Sequence, residues 1–195
     1  HDGQGFHSND ARGTTLRVDP AYGVTPVDRV QPLVRTTGYE AGVRSEPLSV
    51  VALWQLDSAS ELLFVGDAGT TEASRPSRRY GVEWNNLYLP TSWLAFDADL
   101  AWSHAKFNDG DPVGKYIPGE VQTTANVGLT IDQLGPWFGA LRWRYFGPRP
   151  LVEDNSVRSA SSSLTNLRVG YRLSPKTQIS LDVFNLVDND LNDIE

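Results

Sequence analysis

The sequence has no cysteine, few basic residues and no long apolar run. Without cysteine, the chain forms neither disulfides nor thiolate metal sites. No apolar run approaches the roughly 18 residues that a membrane-spanning helix requires, which argues against a helical span. Lysine and arginine total 17 against 24 acidic residues, for a formal net charge of −7. Because a nucleic-acid surface is normally basic, this balance predicts no nucleic acid among the partners.

The amino terminus has neither an initiator methionine nor a signal peptide, and it opens as HDGQGFHSND. A mature secreted protein and a segment of a longer protein would both begin in this way. The length of 195 residues is enough for one domain with a sizeable core. We treat residues 1–195 as one domain, because no helix-period segment of any length interrupts its pattern.

Residues 93–107, WLAFDADLAWSHAKF, alternate strictly between two kinds of side chain. Large apolar residues such as Phe96 and Leu100 point one way, while Asp97 and Asp99 point the other. A strand of a soluble sheet usually stops after about five or six residues. A membrane-spanning strand needs about 9–11, with lipid on one face and a polar lumen on the other. The alternation therefore predicts a membrane-spanning strand.

Similar alternation recurs along the chain. Further strands are predicted at residues 33–45, 48–65, 79–89, 121–131, 137–146, 166–173 and 177–183. Residues 48–65 contain a polar patch and would form either one long kinked strand or two strands with a tight turn; we favour one strand. Residues 1–31 show no sustained periodicity and are predicted as loop, with at most a strand end before Gly5.

The connections between these strands alternate in length. Short breaks fall near Glu46, Thr91, Gly135 and Pro175, and long ones at residues 66–78, 108–120 and 147–161. Short turns at one end and long loops at the other are typical of an outer-membrane barrel, whereas a Greek-key sandwich mixes them less regularly. The predicted fold is therefore all-β, an antiparallel up-and-down transmembrane β-barrel segment with roughly eight strands of a larger barrel.

The two faces of the predicted strands differ in chemistry. The charged face carries Glu40, Arg44, Glu83, Asp97, Asp99, Arg142, Arg144, Arg168, Arg172 and Asp182. The other face carries Tyr80, Trp84, Phe96, Trp102, Trp143, Tyr145 and Tyr171. Such aromatic rings would either pack against a second sheet or face lipid. Trp93 and Trp137 directly follow short turns and Tyr88 precedes one, as in an interfacial girdle, so we favour lipid.

The sequence offers no convincing catalytic or metal site. His1 and His7 lie near Asp2 and Asp10, but their spacing matches no standard metal motif, and we predict no metal. Residues 108–111, NDGD, lack the remaining ligands of a calcium loop. The chain contains no GxSxG, HExxH or P-loop pattern. We therefore predict no catalytic residues, no cofactor and no enzyme.

Within the predicted strands, one pair of adjacent residues combines a type that serves as a nucleophile, serine, with a type that serves as a base, histidine. They are Ser103 and His104, and neighbours in a strand point to opposite faces. A hydrolase built on an outer-membrane barrel remains an alternative, as does a soluble all-β module that binds a carbohydrate or another ligand.

Five short stretches occur in an order that resembles a known family. They are GFHSNDARG at residues 5–13, RRYGVEW at 78–84, YIPGE at 116–120, RYFGPRPL at 144–151 and VFNLVDN at 183–189. Laid over the strand pattern, the ordered set resembles the carboxyl-terminal part of the barrel of TonB-dependent outer-membrane receptors. The resemblance covers nearly the whole chain, although no single motif is diagnostic.

The resemblance implies active uptake of a scarce small-molecule ligand, often a ferric siderophore, across the outer membrane of a Gram-negative bacterium. The implied partners are outer-membrane lipid and TonB, which acts through an amino-terminal plug. The sequence departs from the complete family because it has no plug, no TonB box and no final strand with a terminal aromatic residue. We therefore expect the chain to be a piece of a receptor whose barrel has about 22 strands.

The resemblance also suggests where a ligand binds. Long loops of the family are extracellular, and GFHSNDARG falls in a loop with a dense polar set. His7, Asn9, Asp10 and Arg12 are therefore the candidate ligand-binding residues, although such residues more often only order the loop. Neither loop composition nor charge identifies the ligand.

Overall fold

A nine-stranded antiparallel sheet is the main element of the computed structural model, which describes residues 1–8, 16–19, 23–26, 33–46, 48–65, 70–73 and 75–189. In chain order the strands are β1 (Asp2–Ser8), β2 (Leu16–Asp19), β3 (Gly23–Pro26), β4 (Leu33–Ser45), β5 (Ser49–Ser58), β6 (Leu62–Val65), β7 (Thr70–Ala73), β8 (Ser77–Thr91), β9 (Leu94–Phe107), β10 (Thr123–Leu134), β11 (Trp137–Phe146), β12 (Ser162–Ser174) and β13 (Thr177–Val183). No helix among the described residues is long and apolar enough to cross a membrane.

The order of strands in the sheet follows the chain. It is β1-β4-β5-β8-β9-β10-β11-β12-β13, and β2-β3 and β6-β7 form two separate ribbons. Within the described residues, the edge strands β1 and β13 each pair with one neighbour, so the sheet is open. This up-and-down order confirms the predicted fold class of a barrel segment.

Short and long connections alternate, as the sequence predicts. Turns of a few residues join β4 to β5, β8 to β9, β10 to β11 and β12 to β13. Longer connections, which we name A (residues 59–76), B (108–122) and C (147–161), join β5 to β8, β9 to β10 and β11 to β12. Because successive strands run in opposite directions, all the short turns lie at one end of the sheet and A, B and C lie at the other.

Seven of the eight predicted strands are present as single strands, and those at residues 33–45, 137–146 and 177–183 have the predicted bounds. The largest differences among the others are in β12, which begins at Ser162 rather than at 166, and in β10, which ends at Leu134 rather than at 131. β4, β8 and β9 contain 13, 15 and 14 residues, which is longer than the roughly 9–11 residues needed to span a membrane. Each of these strands is therefore long enough to span a membrane.

Two predictions about single segments are wrong. Residues 48–65 form two strands, because β5 leaves the sheet after Ser58 and Leu62 begins the separate ribbon that β7 completes. The predicted loop at residues 1–31 includes β1, which adds a ninth strand to the sheet. β1 contains two glycines and no apolar alternation, and the backbone pairing of its seven residues with β4 is what places it in the sheet.

The register confirms the two faces predicted from alternation. Residues directly opposite in neighbouring antiparallel strands share a face. Phe96, Leu129, Leu141 and Leu167 form one row across four strands. Asp99, Asn126 and Arg144 form a row on the opposite face, with Asn85 on β8. Below, the apolar face is the one that carries Phe96 and the polar face is the one that carries Asp99.

The apolar face is open in the described part of the chain. Tyr88 and Trp137 are each 52% exposed, and Phe96 is 42% exposed. A soluble sandwich would bury these rings against a second sheet, but the described residues form only two small ribbons besides the main sheet. The described residues therefore contain no second sheet that packs on this face, and its exposure fits the predicted contact with lipid.

Candidate functional site

Connection B folds back along the end of β9 instead of projecting away from the sheet. The Phe107 amide donates a hydrogen bond to the Lys115 carbonyl, and the Ser103 amide donates to the Gln122 carbonyl, each at 2.8 Å. These bonds extend the pairing of β9 into the connection. The backbone of B is therefore held at both of its ends.

A buried apolar cluster lies under connection B. Ala105, Phe107 and Ile117 are 0%, 2% and 2% exposed, respectively. Ala105 and Phe107 occupy polar-face positions of β9, so Ile117 brings connection B over the polar face. In a barrel that face lines the lumen, and B therefore partly covers the extracellular mouth.

Connections B and C are joined backbone to backbone. The Tyr116 amide donates to the Glu153 carbonyl at 2.9 Å, and the Gly119 amide donates to the Pro150 carbonyl at 2.8 Å. Gly114 allows a further close approach: a Cβ there would overlap the carbonyl oxygen of Glu153, and its φ is +149°. Only a glycine fits at this crossing without moving one connection.

Substitution of Gly114 by alanine should weaken the docking of B on C by about 1–3 kcal/mol, since the added methyl group meets backbone that cannot rotate away. The expected result is faster amide hydrogen exchange at Tyr116 and Gly119 in the complete receptor. Gly110→Ala is the matched control, because a Cβ at Gly110 has no atom within 4 Å. Equal exchange in both variants would contradict the close-packed crossing.

Arg75, in connection A, links all three connections. Its guanidinium lies 2.8 Å from the Asp109 carboxylate of B and 2.9 Å from the Glu153 carboxylate of C. It also donates to the Gly114 carbonyl at 2.5 Å and lies 4.2 Å from the centre of the Phe107 ring. The side chain is only 18% exposed, so these partners replace most of its water. Connections A, B and C are therefore held together as one unit.

A second buried contact attaches connection A to β8. Glu61 is 8% exposed and accepts two hydrogen bonds from Arg79, at 3.0 and 2.7 Å. The Ser77 hydroxyl donates to the same carboxylate at 2.5 Å. A bidentate arginine contact of this kind fixes both orientation and charge. The chain thus leaves the ribbon and re-enters the sheet at a defined position.

Glu120 is the other buried carboxyl group of this region. It is 8% exposed, its Oε1 accepts a hydrogen bond from the Ser103 hydroxyl at 3.2 Å, and its Oε2 has no partner among the described residues. Burial raises the pKa of Glu120 above its ordinary value, although the Ser103 hydrogen bond and the Arg79 charge act in the opposite direction. The docked position of connection B therefore favours the neutral acid.

The docking of B should accordingly weaken as the pH rises. The raised pKa of the Glu120 carboxyl stabilises the docking of B fully at pH values below 4.5, the pKa of this group in the undocked state. This stabilisation is lost as the pH rises through the pKa of the docked state. Glu120→Gln, a neutral isostere, should remove this dependence and protect the amide of Ser103 more strongly at neutral pH. Hydrogen exchange corrected for its intrinsic pH dependence measures both effects.

Glu83→Gln is the control for the pH experiment, because Glu83 lies on the exposed part of the polar face and away from connection B. It should leave the pH profile of Ser103 unchanged. A Glu120→Gln variant with the wild-type pH profile would show that another group controls the docking.

Below the connections, ion pairs cross the polar face. Asp97 of β9 pairs with Arg142 of β11 across the intervening β10, where Gly128 leaves room for the two side chains. Arg168 and Asp182 pair between β12 and β13. Arg172 and Asp132 form a third pair. Except for Asp132, which lies beyond the predicted strand, these charges belong to the face predicted from sequence, and each pair joins an acidic residue on one strand to an arginine on another.

Aromatic rings mark both ends of the apolar face. At the short-turn end, the rings of Trp137 and Tyr171 meet edge to face at 4.8 Å. At the other end, Tyr80 lies 6.0 Å from Trp102 and 5.4 Å from His104. Two such levels are typical of the girdles at the two interfaces of a membrane barrel.

The structure separates Ser103 and His104, the pair of catalytic residue types found in a predicted strand. The Ser103 hydroxyl donates to Glu120 on the polar face, while His104 contacts Tyr80 on the apolar face. Among the described residues, no group of three or more His, Asp or Glu side chains could hold a metal ion.

The four candidate ligand-binding residues are only partly within the described chain. His7 lies in β1 opposite Val34, near the end of the sheet from which A, B and C extend. Asn9, Asp10 and Arg12 lie outside the described residues, so their role stays a prediction. Arg75, Glu61 and Glu120 are not among the residues predicted from sequence to form a site. The sequence indicates only that these three are charged residues in or beside polar connections.

These features define the class of protein: a segment of a membrane-spanning β-barrel with polar and lipid-facing surfaces, short turns at one end and interlocked connections at the other. Comparison with protein families makes the assignment specific. The family described as TonB dependent receptor-like, beta-barrel, matches residues 5–186, and the chain belongs to that family. Members of this family lie in the Gram-negative outer membrane, and so does this chain.

Solved structures with the same fold include several uptake proteins. The copper transporter OprC is 20% identical, with a TM-score of 0.74 over 97% of this chain and 31% of its own. The ferric yersiniabactin uptake receptor FyuA from Yersinia pestis is 18% identical, with a TM-score of 0.75 over 96% of this chain and 29% of its own.

A third similar structure is the ferripyoverdine receptor of the outer membrane of Pseudomonas aeruginosa. It is 14% identical, with a TM-score of 0.67 over 96% of this chain and 26% of its own. At these identities the likeness describes the fold. The chain spans about a third or less of the length of these proteins.

Proposed function

We propose that this chain is part of the barrel of an outer-membrane receptor that takes up a scarce small-molecule ligand with TonB-coupled energy. The observation that carries the proposal is the interlocking of connections A, B and C over the extracellular end of the polar face. Such an arrangement provides an organised entry surface above a charged channel lining. Membership of a family of transport receptors supports the same conclusion.

A ferric siderophore is the first candidate ligand, because FyuA and the ferripyoverdine receptor are named for ferric siderophores. TonB would act through an amino-terminal plug, as the sequence resemblance implies. In this proposal residues 1–195 form one piece of the barrel, and the plug and the final strand belong to the rest of the receptor.

We also propose that the segment after β1 contributes to ligand contact. β1 ends at Ser8, which pairs with Leu33 at the end of the sheet from which A, B and C extend. In this proposal His7, Asn9, Asp10 and Arg12 supply the contacts to the ligand. Replacing these four residues by alanine should lower ligand affinity without lowering the amount of folded receptor in the membrane. Unchanged affinity would count against their role.

We propose further that the chain carries no catalytic site. A barrel hydrolase would require Ser103 and His104 on one face, and they lie on opposite faces of β9. The substitution His104→Ala provides the check, since it should leave any hydrolysis by the purified receptor unaltered. Hydrolysis that this substitution abolishes would favour the hydrolase.

Uptake of radioactive iron tests the main proposal. The complete receptor is expressed in a Gram-negative strain that lacks its own siderophore receptors, and cells are supplied with a set of ferric siderophores. Uptake of one or more complexes should depend on the receptor and should stop when the tonB gene is deleted. Iron uptake that persists without TonB would overturn the energy coupling, and a receptor that transports none of the complexes would overturn the siderophore assignment.

A further inference from the structure

The acidic side chains at the extracellular end are largely occupied by partners within the described chain. Asp109, Asp111 and Glu153 surround Arg75, Glu61 binds Arg79, Glu120 accepts from Ser103, and Asp154 accepts from Ser156. Asp109, Asp111, Glu153 and Glu61 therefore have arginine counterions, whereas Glu120 and the exposed Asp154 accept only from neutral donors. The net charge of the whole chain, −7, does not describe the charge that this surface offers to a ligand.

Two arginines of connection C have no carboxylate partner among the described residues. Arg158 donates to the Asn155 side chain at 2.6 Å, to the Pro148 carbonyl at 2.9 Å and to the Gln122 side chain at 3.2 Å. All three acceptors are neutral, so they fix the orientation of the guanidinium and leave its charge uncompensated. Arg149 is the second such residue, and it is half-buried.

Arg149 lines a cavity of about 170 Å³ at the junction of connection C with the sheet. Its neighbours there include Phe146, Ser159 and Ser162. Phe146 and Ser162 pair across β11 and β12 on the polar face, which places the cavity at the rim of that face. The Arg149 amide donates to the Ser159 hydroxyl at 3.1 Å, and the Ser159 amide donates to the Arg149 carbonyl at 2.9 Å. The walls of the cavity are thus fixed by backbone contacts.

We propose that this cavity binds an anionic oxygen group of the transported ligand, with Arg149 as the principal contact and Arg158 contributing charge beside it. A guanidinium presents paired donors that match carboxylate and similar anions, and partial burial strengthens the contact by excluding water. Ser159 and Ser162 supply hydroxyl groups at the same place. The inference rests on the proposed uptake function and deepens it, because it selects an anionic ligand over a neutral one.

Two iron complexes of opposite character test the inference. The complete receptor is titrated with a strongly anionic ferric tris-catecholate and with an uncharged ferric tris-hydroxamate. Arg149→Gln should weaken binding of the anionic complex by tenfold or more and leave any binding of the uncharged complex unchanged. Arg78→Gln is the matched control, because Arg78 pairs with Asp57 on the apolar face, away from the cavity. It should bind the anionic complex as the wild type does.

The outcomes separate this inference from the proposed function. Binding of the uncharged complex alone would overturn the anionic site and leave iron-complex uptake standing. Binding of the anionic complex with equal affinity in wild type and Arg149→Gln would overturn the role of the cavity. Binding of neither complex would overturn the siderophore assignment together with the anionic site.

Discussion

Replacing Leu100 by arginine should destabilise the membrane-inserted receptor by about 2–4 kcal/mol, whereas arginine at the neighbouring position, Asp99, should cost much less. Leu100 lies near the middle of β9, between Trp84 and Ala125 on the apolar face, and is 39% exposed. An arginine there must place its charge in the hydrocarbon core or drag water and headgroups inwards. This cost depends on depth and is greatest at the membrane midplane.

Asp99 differs from Leu100 by one residue and by the face it occupies. Its cross-strand neighbours are Asn85 and Asn126, which are polar and lie on the hydrated face. An arginine there exchanges one solvated charge for another, and the nearby Arg144 adds only a screened repulsion. Comparing the two variants therefore separates the free-energy cost of placing a charge in lipid from the cost of placing an arginine in β9 at all.

Urea unfolding of the complete receptor in lipid vesicles measures the difference. The midpoint of the Leu100→Arg variant should fall well below that of Asp99→Arg, with similar slopes for both transitions. Equal midpoints would mean that the two faces of β9 have the same environment. That result would contradict a membrane-spanning strand with one lipid-facing surface.

Substitution of Arg75 by glutamine should release connections A, B and C from one another at a cost of about 2–4 kcal/mol in local stability. The change removes the one positive charge among the described residues that lies within 3 Å of Asp109 and of Glu153. Both carboxylates would remain partly buried without a counterion, which is more costly than losing the contacts alone. The cation–π contact with Phe107 would also be lost.

Hydrogen exchange in the complete receptor detects this release. Amides that join B to C, such as Tyr116 and Gly119, should exchange much faster in Arg75→Gln, while amides at the centre of β9 should not change. Arg78→Gln is the control because its ion pair with Asp57 is solvent-exposed, with 51% of the arginine side chain accessible, and contributes about 0–1 kcal/mol. Unchanged exchange at Tyr116 would show that backbone pairing alone joins the connections.

The strands of the main sheet were largely predictable because a membrane barrel imposes a simple rule on its sequence. Lipid on one side and water on the other require alternation, and residues such as Phe96 and Asp97 show it without any knowledge of their neighbours. The rule fails where pairing is decided by backbone contacts. β1 has no alternation, and residues 59–61 leave the sheet because Glu61 is held by Arg79 and Ser77.

The entry surface was much less predictable, because its contacts join residues that are far apart in sequence. Arg75 and Glu153 are separated by 78 positions, and nothing local to either residue indicates the other. In the sequence Gly114 cannot be told from other loop glycines, because only the structure places the carbonyl of Glu153 against it. The candidates chosen from sequence, His7, Asn9, Asp10 and Arg12, were selected from local composition, and they remain predictions.

The types of successive residues were therefore sufficient to predict the class of fold, the lipid-facing surface and the direction of the strands. Each of these features follows from the environment of single residues. Pairing in three dimensions decided which charges are available at the extracellular end. The sequence carries an excess of acidic residues, but Asp109, Glu153 and Glu61 pair with Arg75 and Arg79, and Glu120 and Asp154 accept from hydroxyl and amide donors. The Arg158 guanidinium has neutral hydrogen-bond partners, and among the described residues neither it nor Arg149 pairs with a carboxylate. A charge is compensated by what lies within a few ångströms of it and not by the total charge of the chain.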